Sequence, residues 1–264
     1  MSDERKQVIE DAKRFVAQEQ AWDNQLYASV AAPAPVKPIA AMTSPIVTSA
    51  KSFALQALYQ KYKDCTRCSL GNTRIKFVFG VGNPDSKVLF IGEGPGFQED
   101  RQGEPFVGPA GQLLDKILAS IGLDRKTNAY IANIVKCHPM IHPETPDARG
   151  NDRPPTPEEV ETCSPILKAQ IAIIQPRVIV TLGSPSTKTM LMTTEGISKL
   201  RGKFYPFSKA YFPSAGGDMW TDTAFLDSIQ ILPTYHPAAL LRNPELKKEV
   251  WEDMKLLRST LAKQ

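Results

Sequence analysis

Three features of the sequence predict an α/β fold, a three-layer arrangement with a four-stranded parallel sheet flanked by helices on both faces. Four short runs are dominated by apolar residues: Val88-Leu89-Phe90-Ile91, Tyr130-Ile131-Ala132-Asn133-Ile134-Val135, Arg177-Val178-Ile179-Val180-Thr181-Leu182 and Ile229-Gln230-Ile231-Leu232. Such runs lack the in/out alternation of a half-exposed strand and read as strands buried on both sides. Helical patterns separate them, as crossovers between parallel strands require. The runs also end in glycine or polar residues, namely Gly92-Glu93-Gly94-Pro95-Gly96, Gly183 and Thr234-Tyr235-His236-Pro237. Active sites of parallel sheets lie beyond the carboxyl ends of the strands, so one rim of this fold carries the candidate chemistry.

The elements follow in order. Residues 5–28 place Val8, Ala12, Phe15, Val16, Trp22 and Leu26 at helical spacing with charges on the other face, predicting an amphipathic N-terminal helix over 1–28. A poorly ordered tail is the plain reading of it, and a docking helix for a protein partner is the functional one. Alanine, proline, serine and threonine dominate residues 29–50, the composition of an extended linker. The body, 51–264, opens with a short helix over 52–62. Pro109 and Gly122 bracket a helix over 110–121. Thr156-Pro157-Glu158-Glu159 supplies an N-cap, a proline at the first helical position and a capping-box glutamate for a helix reaching Ile174. A short helix starts at about Ser184, and a helix over 244–262 ends the chain.

Composition bounds the function. The 264 residues are 42% hydrophobic and 23% charged, which is globular and neither disordered, collagen-like nor coiled-coil. No apolar run reaches the roughly 18–20 residues of a membrane span. Met1-Ser2-Asp3-Glu4-Arg5-Lys6 has no apolar signal core, so a cytoplasmic protein is expected. The net charge is +4, with −2 in residues 1–28 and therefore +6 in the remainder. A mildly basic body permits a polyanionic partner without demanding one.

Four cysteines, Cys65 and Cys68 in a C-x-x-C pair with Cys137 and Cys163 standing alone, are more telling. Two disulfides are out of place in a reducing cytosol. Four thiolates with none spare fit a Cys₄ site for zinc or for an iron–sulfur cluster, and spacing does not choose between them. Buried apolar cysteines are the plain alternative. At the first strand end, Glu93, Glu99 and Asp100 put three carboxylates within eight residues. His236 stands at the last strand end, whereas His138 and His142 fall in a proline-rich loop and read as solvated.

Taken together, Cys65-x-x-Cys68-x-Leu70, Val78-Phe79-Gly80-x-Gly82, Gly92-Glu93-Gly94-Pro95-Gly96-x-x-Glu99-Asp100, Gly103-x-Pro105-Phe106-Val107-Gly108-x-Ala110-Gly111-Gln112-Leu113-Leu114, Asn133-Ile134-Val135-Lys136-Cys137 and Thr234-Tyr235-His236-Pro237-Ala238-x-Leu240-Leu241-Arg242 occur in an order that resembles the iron–sulfur (family 4) uracil-DNA glycosylases. The resemblance covers residues 53–260. It implies a uracil-DNA glycosylase-like domain with a cluster-bound loop region, and a [4Fe-4S] cluster on Cys65, Cys68, Cys137 and Cys163. The implied reaction is base-excision repair: uracil is flipped from single- or double-stranded DNA and its N-glycosidic bond hydrolysed, leaving an abasic site. A monomer associated with the nucleoid is the expected form.

The resemblance also assigns roles. Phe106 stacks on the flipped base, and Asn133 offers the donor and acceptor that complement uracil rather than cytosine. His236 donates to uracil O2, where charge grows as the base leaves. Glu93 and Gly94 contribute backbone contacts. Leu240 and Leu241 are wedge candidates, and Arg242 is a phosphate contact. Gly94 stands where better-known relatives carry a water-orienting aspartate, as in family 4 generally, which makes Glu99 the first and Glu93 the second candidate for handling water. Ala238 replaces a phosphate-gripping serine. The segment between Cys137 and Cys163 is longer than family members usually carry; it reads as a cluster loop lying on DNA, and a histidine of it touching the cluster is the alternative. The competing classes are a catalytically degenerate iron–sulfur DNA-binding protein on the same scaffold and an electron carrier. Intact Phe106, Asn133 and His236 argue against the first, and the scattered cysteines against the second.

Overall fold

Ser49 begins the described chain as a helix cap, its hydroxyl accepting from the Ser52 amide at 3.2 Å. The computed structural model describes residues 49–148, 150–208, 211 and 224–263. The expected helix over 1–28 and the linker ahead of Ser49 lie outside the described residues.

Helix α1 (Ala50–Tyr62) starts directly at that cap. The short helix α2 (Ser69–Thr73) follows the C-x-x-C pair. The four predicted strands form as β2 (Val88–Gly92), β3 (Tyr130–Asn133), β4 (Val178–Leu182) and β6 (Gln230–Thr234), all parallel. The sheet is wider than expected, with six strands among the described residues in the order β1-β3-β2-β4-β6-β5. The additional edges, β1 (Val81–Gly82) and β5 (Tyr205–Pro206), are antiparallel and two residues long, too short to leave any periodicity in a sequence. Strand β6 continues through Pro233 to Thr234. Edge strand β5 pairs only with Gln230 and Ile231, so the proline lies past the end of that ladder.

Side chains of successive strand residues point to opposite faces, and here both faces are covered. Leu89, Ile91, Tyr130, Ala132, Ile179 and Ile231 pack in one apolar cluster with Leu55 and Leu58 of α1 and with Ile166, Leu167 and Ile171 of α5 (Pro157–Ile174). Val88, Phe90, Ile131, Val178, Val180 and Leu232 pack in the other with Leu113, Leu114, Ile117 and Leu118 of α4 (Pro109–Ser120) and with Val250, Trp251, Met254 and Leu257 of α9 (Lys247–Ala262). Each such side chain contributes about 1.5–3 kcal/mol of burial. That two-sided burial is the reason the strands are apolar at nearly every position.

The remaining helices are α3 (Phe97–Gln102), α6 (Ser184–Leu191), α7 (Ile197–Leu200) and α8 (Pro237–Arg242). The capping box of α5 forms as expected, with the Glu159 amide donating to Thr156 Oγ1 at 3.3 Å and the Thr156 amide to Glu159 Oε2 at 2.8 Å. Among the described residues, no helix is long and apolar enough to cross a membrane.

Candidate functional site: a cleft at the strand ends and a four-cysteine cluster

The carboxyl ends of the parallel strands open into a cleft of about 740 Å³. Glu93, Gly94, Glu99, Phe106, Asn133, His236 and Arg242 all line it, together with Asp152 and Arg153 from the loop after Cys137. Strand register does part of the assembly, because Gly92 pairs with Asn133 and so sets the amide beside the first glycine turn. Asn133 is 2% exposed, and its Oδ1 is buried with no hydrogen-bond partner among the described residues. An orphaned buried acceptor costs about 1–3 kcal/mol, so this amide is built to be completed by an incoming donor.

Phe106 adopts φ +56°, a left-handed conformation rare for an aromatic residue. Its loop is held from two sides. Arg125, nearly buried, donates to the carbonyls of Pro105 (2.9 Å) and Phe106 (2.7 Å) and is itself anchored on Asp115 at 2.7 Å. Glu99 Oε1 accepts the amides of Val107 (2.9 Å) and Gly108 (3.0 Å). The Phe106 ring then lies 5.4 Å from the His236 ring, tilted by 32°.

His236 follows β6 as the N-cap of α8, where its Nδ1 accepts the Ala238 amide at 3.1 Å. A ring nitrogen that accepts carries no proton, so the neutral ring holds its proton on Nε2 and presents a donor. Burial, with a contribution from the Arg242 charge, lowers its pKa to about 4 and keeps the ring neutral. Two residues earlier in the chain, Thr234 Oγ1 donates to Asp253 Oδ2 at 2.6 Å, and Arg201 donates to Asp253 Oδ1 at 2.6 Å. Burial raises Asp253 to about 6 against the lowering effect of these partners.

Three expectations are corrected. Leu240 is fully buried in the core layer of α4 and α9 and does not reach the surface, so it cannot serve as a wedge; Leu241 is 48% exposed. His138 is not solvated. It is fully buried, with Nε2 2.7 Å from Asp152 Oδ1, whereas His142 is exposed. Asp100 is also fully buried and accepts the amides of Ile75 (3.0 Å) and Lys76 (3.3 Å), which makes it structural. Arg125, Arg201, Asp253 and Asp152 carried no sequence signal. Each acts through contacts distant in the chain.

The four cysteines are free, with Cys137 and Cys163 buried. Two arginines draw their three segments together. Arg74 donates to the carbonyls of Cys65 and Gly71 and lies 3.5 Å from Cys137 Sγ. Arg67 donates to the carbonyl of Thr162, beside Cys163, at 2.9 Å. Burial pushes the Cys137 thiol up to about 12, only partly offset by Arg74, while Arg67 overcomes burial and lowers Cys65. Among the described residues, no three Cys, His, Asp or Glu side chains are arranged around a single metal ion.

The uracil DNA glycosylase superfamily profile matches residues 79–255. The type-4 uracil-DNA glycosylase of Saccharolobus solfataricus is 38% identical over 213 residues, covering 79% of this chain and 87% of the relative. That of Archaeoglobus fulgidus is 37% identical over 206 residues, covering 76% and 90%. That of Thermotoga maritima is 37% identical over 213 residues, covering 80% and 96%. With this coverage and with the cleft the strand ends form, the chain belongs to the uracil DNA glycosylase superfamily, among its type-4 members.

Proposed function

We propose that this protein is a DNA-repair hydrolase that excises uracil from DNA, breaking the bond between the base and deoxyribose to leave an abasic site. The observation that carries this reading is Asn133 Oδ1, a buried acceptor without a partner, in a cleft it shares with an aromatic face and a neutral histidine donor. Uracil N3–H supplies the missing donor and O4 accepts from the amide nitrogen; cytosine reverses both groups and is refused. Phe106 offers its ring to the flipped base. His236 donates from Nε2 to O2 and stabilises the charge that grows there as the C1′–N1 bond lengthens. Arg242, at the end of α8, suits a phosphate, and Leu241 the vacated stack. Glu93 and Gly94 line the base side of the cleft, and Glu99 holds the Phe106 loop.

The donor set fits a [4Fe-4S] cluster on Cys65, Cys68, Cys137 and Cys163. Four thiols, with no other ligand type among them, come from three segments that Arg74 and Arg67 tie to one another, a donor set that such a cluster takes. A bound cluster would supply covalent bridges joining α2, the loop after β3 and α5; the hydrolytic step belongs to the cleft residues.

In this reading the active unit is residues 51–264, acting as a monomer on uracil in single- or double-stranded DNA, in the cytoplasm at the nucleoid. The test is an end-labelled oligonucleotide with one uracil, treated with iron-loaded protein and then with alkali. Cleavage at the uracil, and none at a thymine control, is the expected result. Iron-replete protein that leaves the uracil strand intact would overturn the reading.

A further inference from the structure

We infer that Asp152 holds the attacking water and takes its proton. This assignment rests on the reading of the cleft as a uracil-excision site and adds the residue that the reading lacks. The cleft is lined by three carboxylates, Glu93, Glu99 and Asp152. Glu99 has Oε1 committed to two loop amides. Among the described residues, no hydrogen bond orients the carboxylate of Glu93. Asp152 is both oriented and open: Oδ1 lies 2.7 Å from His138 Nε2, while the side chain is 58% exposed. A carboxylate only accepts, so the ring nitrogen is the donor.

The support behind that donor is buried. His138 is fully enclosed; its Nδ1 makes no hydrogen bond among the described residues but faces Asp100 Oδ2 at 3.9 Å, and Asp100 is fixed by the amides of Ile75 and Lys76. The backbone around Asp152 is fixed as well. It bridges Met140, the Arg153 amide donates to the Pro139 carbonyl at 3.1 Å, and Arg153 Nε donates to the Met140 carbonyl at 2.9 Å. A group set by a rigid shell in this way suits a role in which orientation decides the rate.

Gly96 provides the space. A Cβ at this position would lie 3.6 Å from Asp152 Oδ1 and 3.2 Å from Glu99 Oε2, so the missing side chain leaves room between two carboxylates that face the cleft. Water in that space meets acceptors on two sides. In the reaction, its oxygen forms a bond to C1′ as the C1′–N1 bond breaks and the electron pair leaves on uracil N1. The proton passes from water to Asp152 and from there to solvent.

Single-turnover excision of uracil from a short single strand tests this with three proteins: wild type, Asp152→Asn and Asp152→Ala. The Asn variant keeps the shape, and is expected to lose roughly 10- to 100-fold in rate. Affinity for an oligonucleotide carrying a non-cleavable uracil analogue should hold within about twofold. Sodium formate, which brings a carboxylate back to the emptied position, should speed Asp152→Ala and leave wild type unchanged; a purely structural role would show no such rescue. An Asp152→Asn rate within about twofold of wild type, or a rate loss matched by an equal loss of affinity, overturns the inference while the excision reading stands. Wild-type protein that releases no uracil overturns both.

Discussion

Gly92 and Asn133 face each other at the ends of β2 and β3, and a Cβ on Gly92 would lie 2.5 Å from Asn133 Oδ1 and 2.6 Å from Phe106 Cζ. The glycine is therefore what allows the Asn133 amide and the Phe106 ring to meet. Gly92→Ala is expected to push both out of place, lowering uracil excision by roughly 100-fold and stability by about 1–3 kcal/mol. Single-turnover kinetics and urea denaturation check the two effects separately. Wild-type kinetics in this variant would mean that neither group needs its observed position.

Asn133→Asp exchanges the amide donor for an acceptor facing uracil O4. Uracil excision is expected to fall by two or more decades, on the order of 3 kcal/mol of transition-state binding. The variant should also lose thermal stability, because a carboxylate at a position 2% exposed has no partner to offset its burial, so rates are compared at a temperature where both proteins are folded. Full activity of this variant on uracil would remove Asn133 from base recognition.

What the sequence shows of this molecule is what local chemistry dictates. The capping box at Thr156 and Glu159 is legible because its partners are three residues apart. The buried strands are legible because two-sided burial makes them apolar. Leu240 and Leu241 are not separable in this way, since a six-residue helix is too short for its period to show which leucine faces the core. The loop holding His138 reads as solvated from its prolines. It folds back instead through Asn151, whose Nδ2 donates to the carbonyls of His142 (2.8 Å) and Thr145 (3.1 Å), and His138 is fully buried. Asn133, Phe106 and His236 stand in motifs and all line the cleft, whereas Arg125, which holds the Phe106 loop, and Asp253, which holds Thr234, come from distant parts of the chain.

His236 and Glu99 are expected to separate kinetically. Removing one donor to a developing anion costs roughly 10²–10³ in turnover, the loss expected for His236→Ala. Glu99→Gln keeps an oxygen that can accept the Val107 and Gly108 amides, so it should cost less than Glu99→Ala, which releases the Phe106 loop. A large loss in Glu99→Gln with a small one in His236→Ala would instead assign water activation to Glu99.

The same histidine sets a pH signature. Its folded pKa of about 4 lies below that of a free imidazole, so the fold favours the neutral ring. The stability this contributes is complete above about pH 6.5 and is lost as pH falls toward 4. Across that window wild type should lose thermal stability more steeply than His236→Ala. Parallel pH curves for the two would show that the ring is not held neutral.

Cys137 lies where the loop after β3 meets the C-x-x-C segment through Arg74. Iron-loaded wild type should be brown and carry about four irons per chain. Cys137→Ser should bleach it and loosen the contact between α2 and the loop, seen as faster proteolysis there. A colourless wild type with one zinc and full activity would replace the cluster by a single ion.

The two leucines of α8 give opposite predictions from adjacent positions. Leu240 is fully buried, so Leu240→Ala should cost about 2–5 kcal/mol of stability through the cavity it leaves. Leu241 is 48% exposed on a helix whose cap, His236, lines the cleft, and in the proposed excision reaction that places it to fill the gap left in a duplex by a flipped nucleotide. Leu241→Ala should leave stability within about 0.5 kcal/mol of wild type, because no core contact is lost. Its defect should depend on the substrate. Excision from a uracil-containing duplex should drop roughly 10-fold, since unstacking costs a few kcal/mol that a wedge offsets. Excision from a single strand, where no stack has to be filled, should be unchanged. Comparing the two substrates with enzyme in excess isolates the flipping step from product release. Equal rates for Leu241→Ala and wild type on duplex would remove the wedge role, and equal losses on both substrates would show that Leu241 acts in the cleft itself.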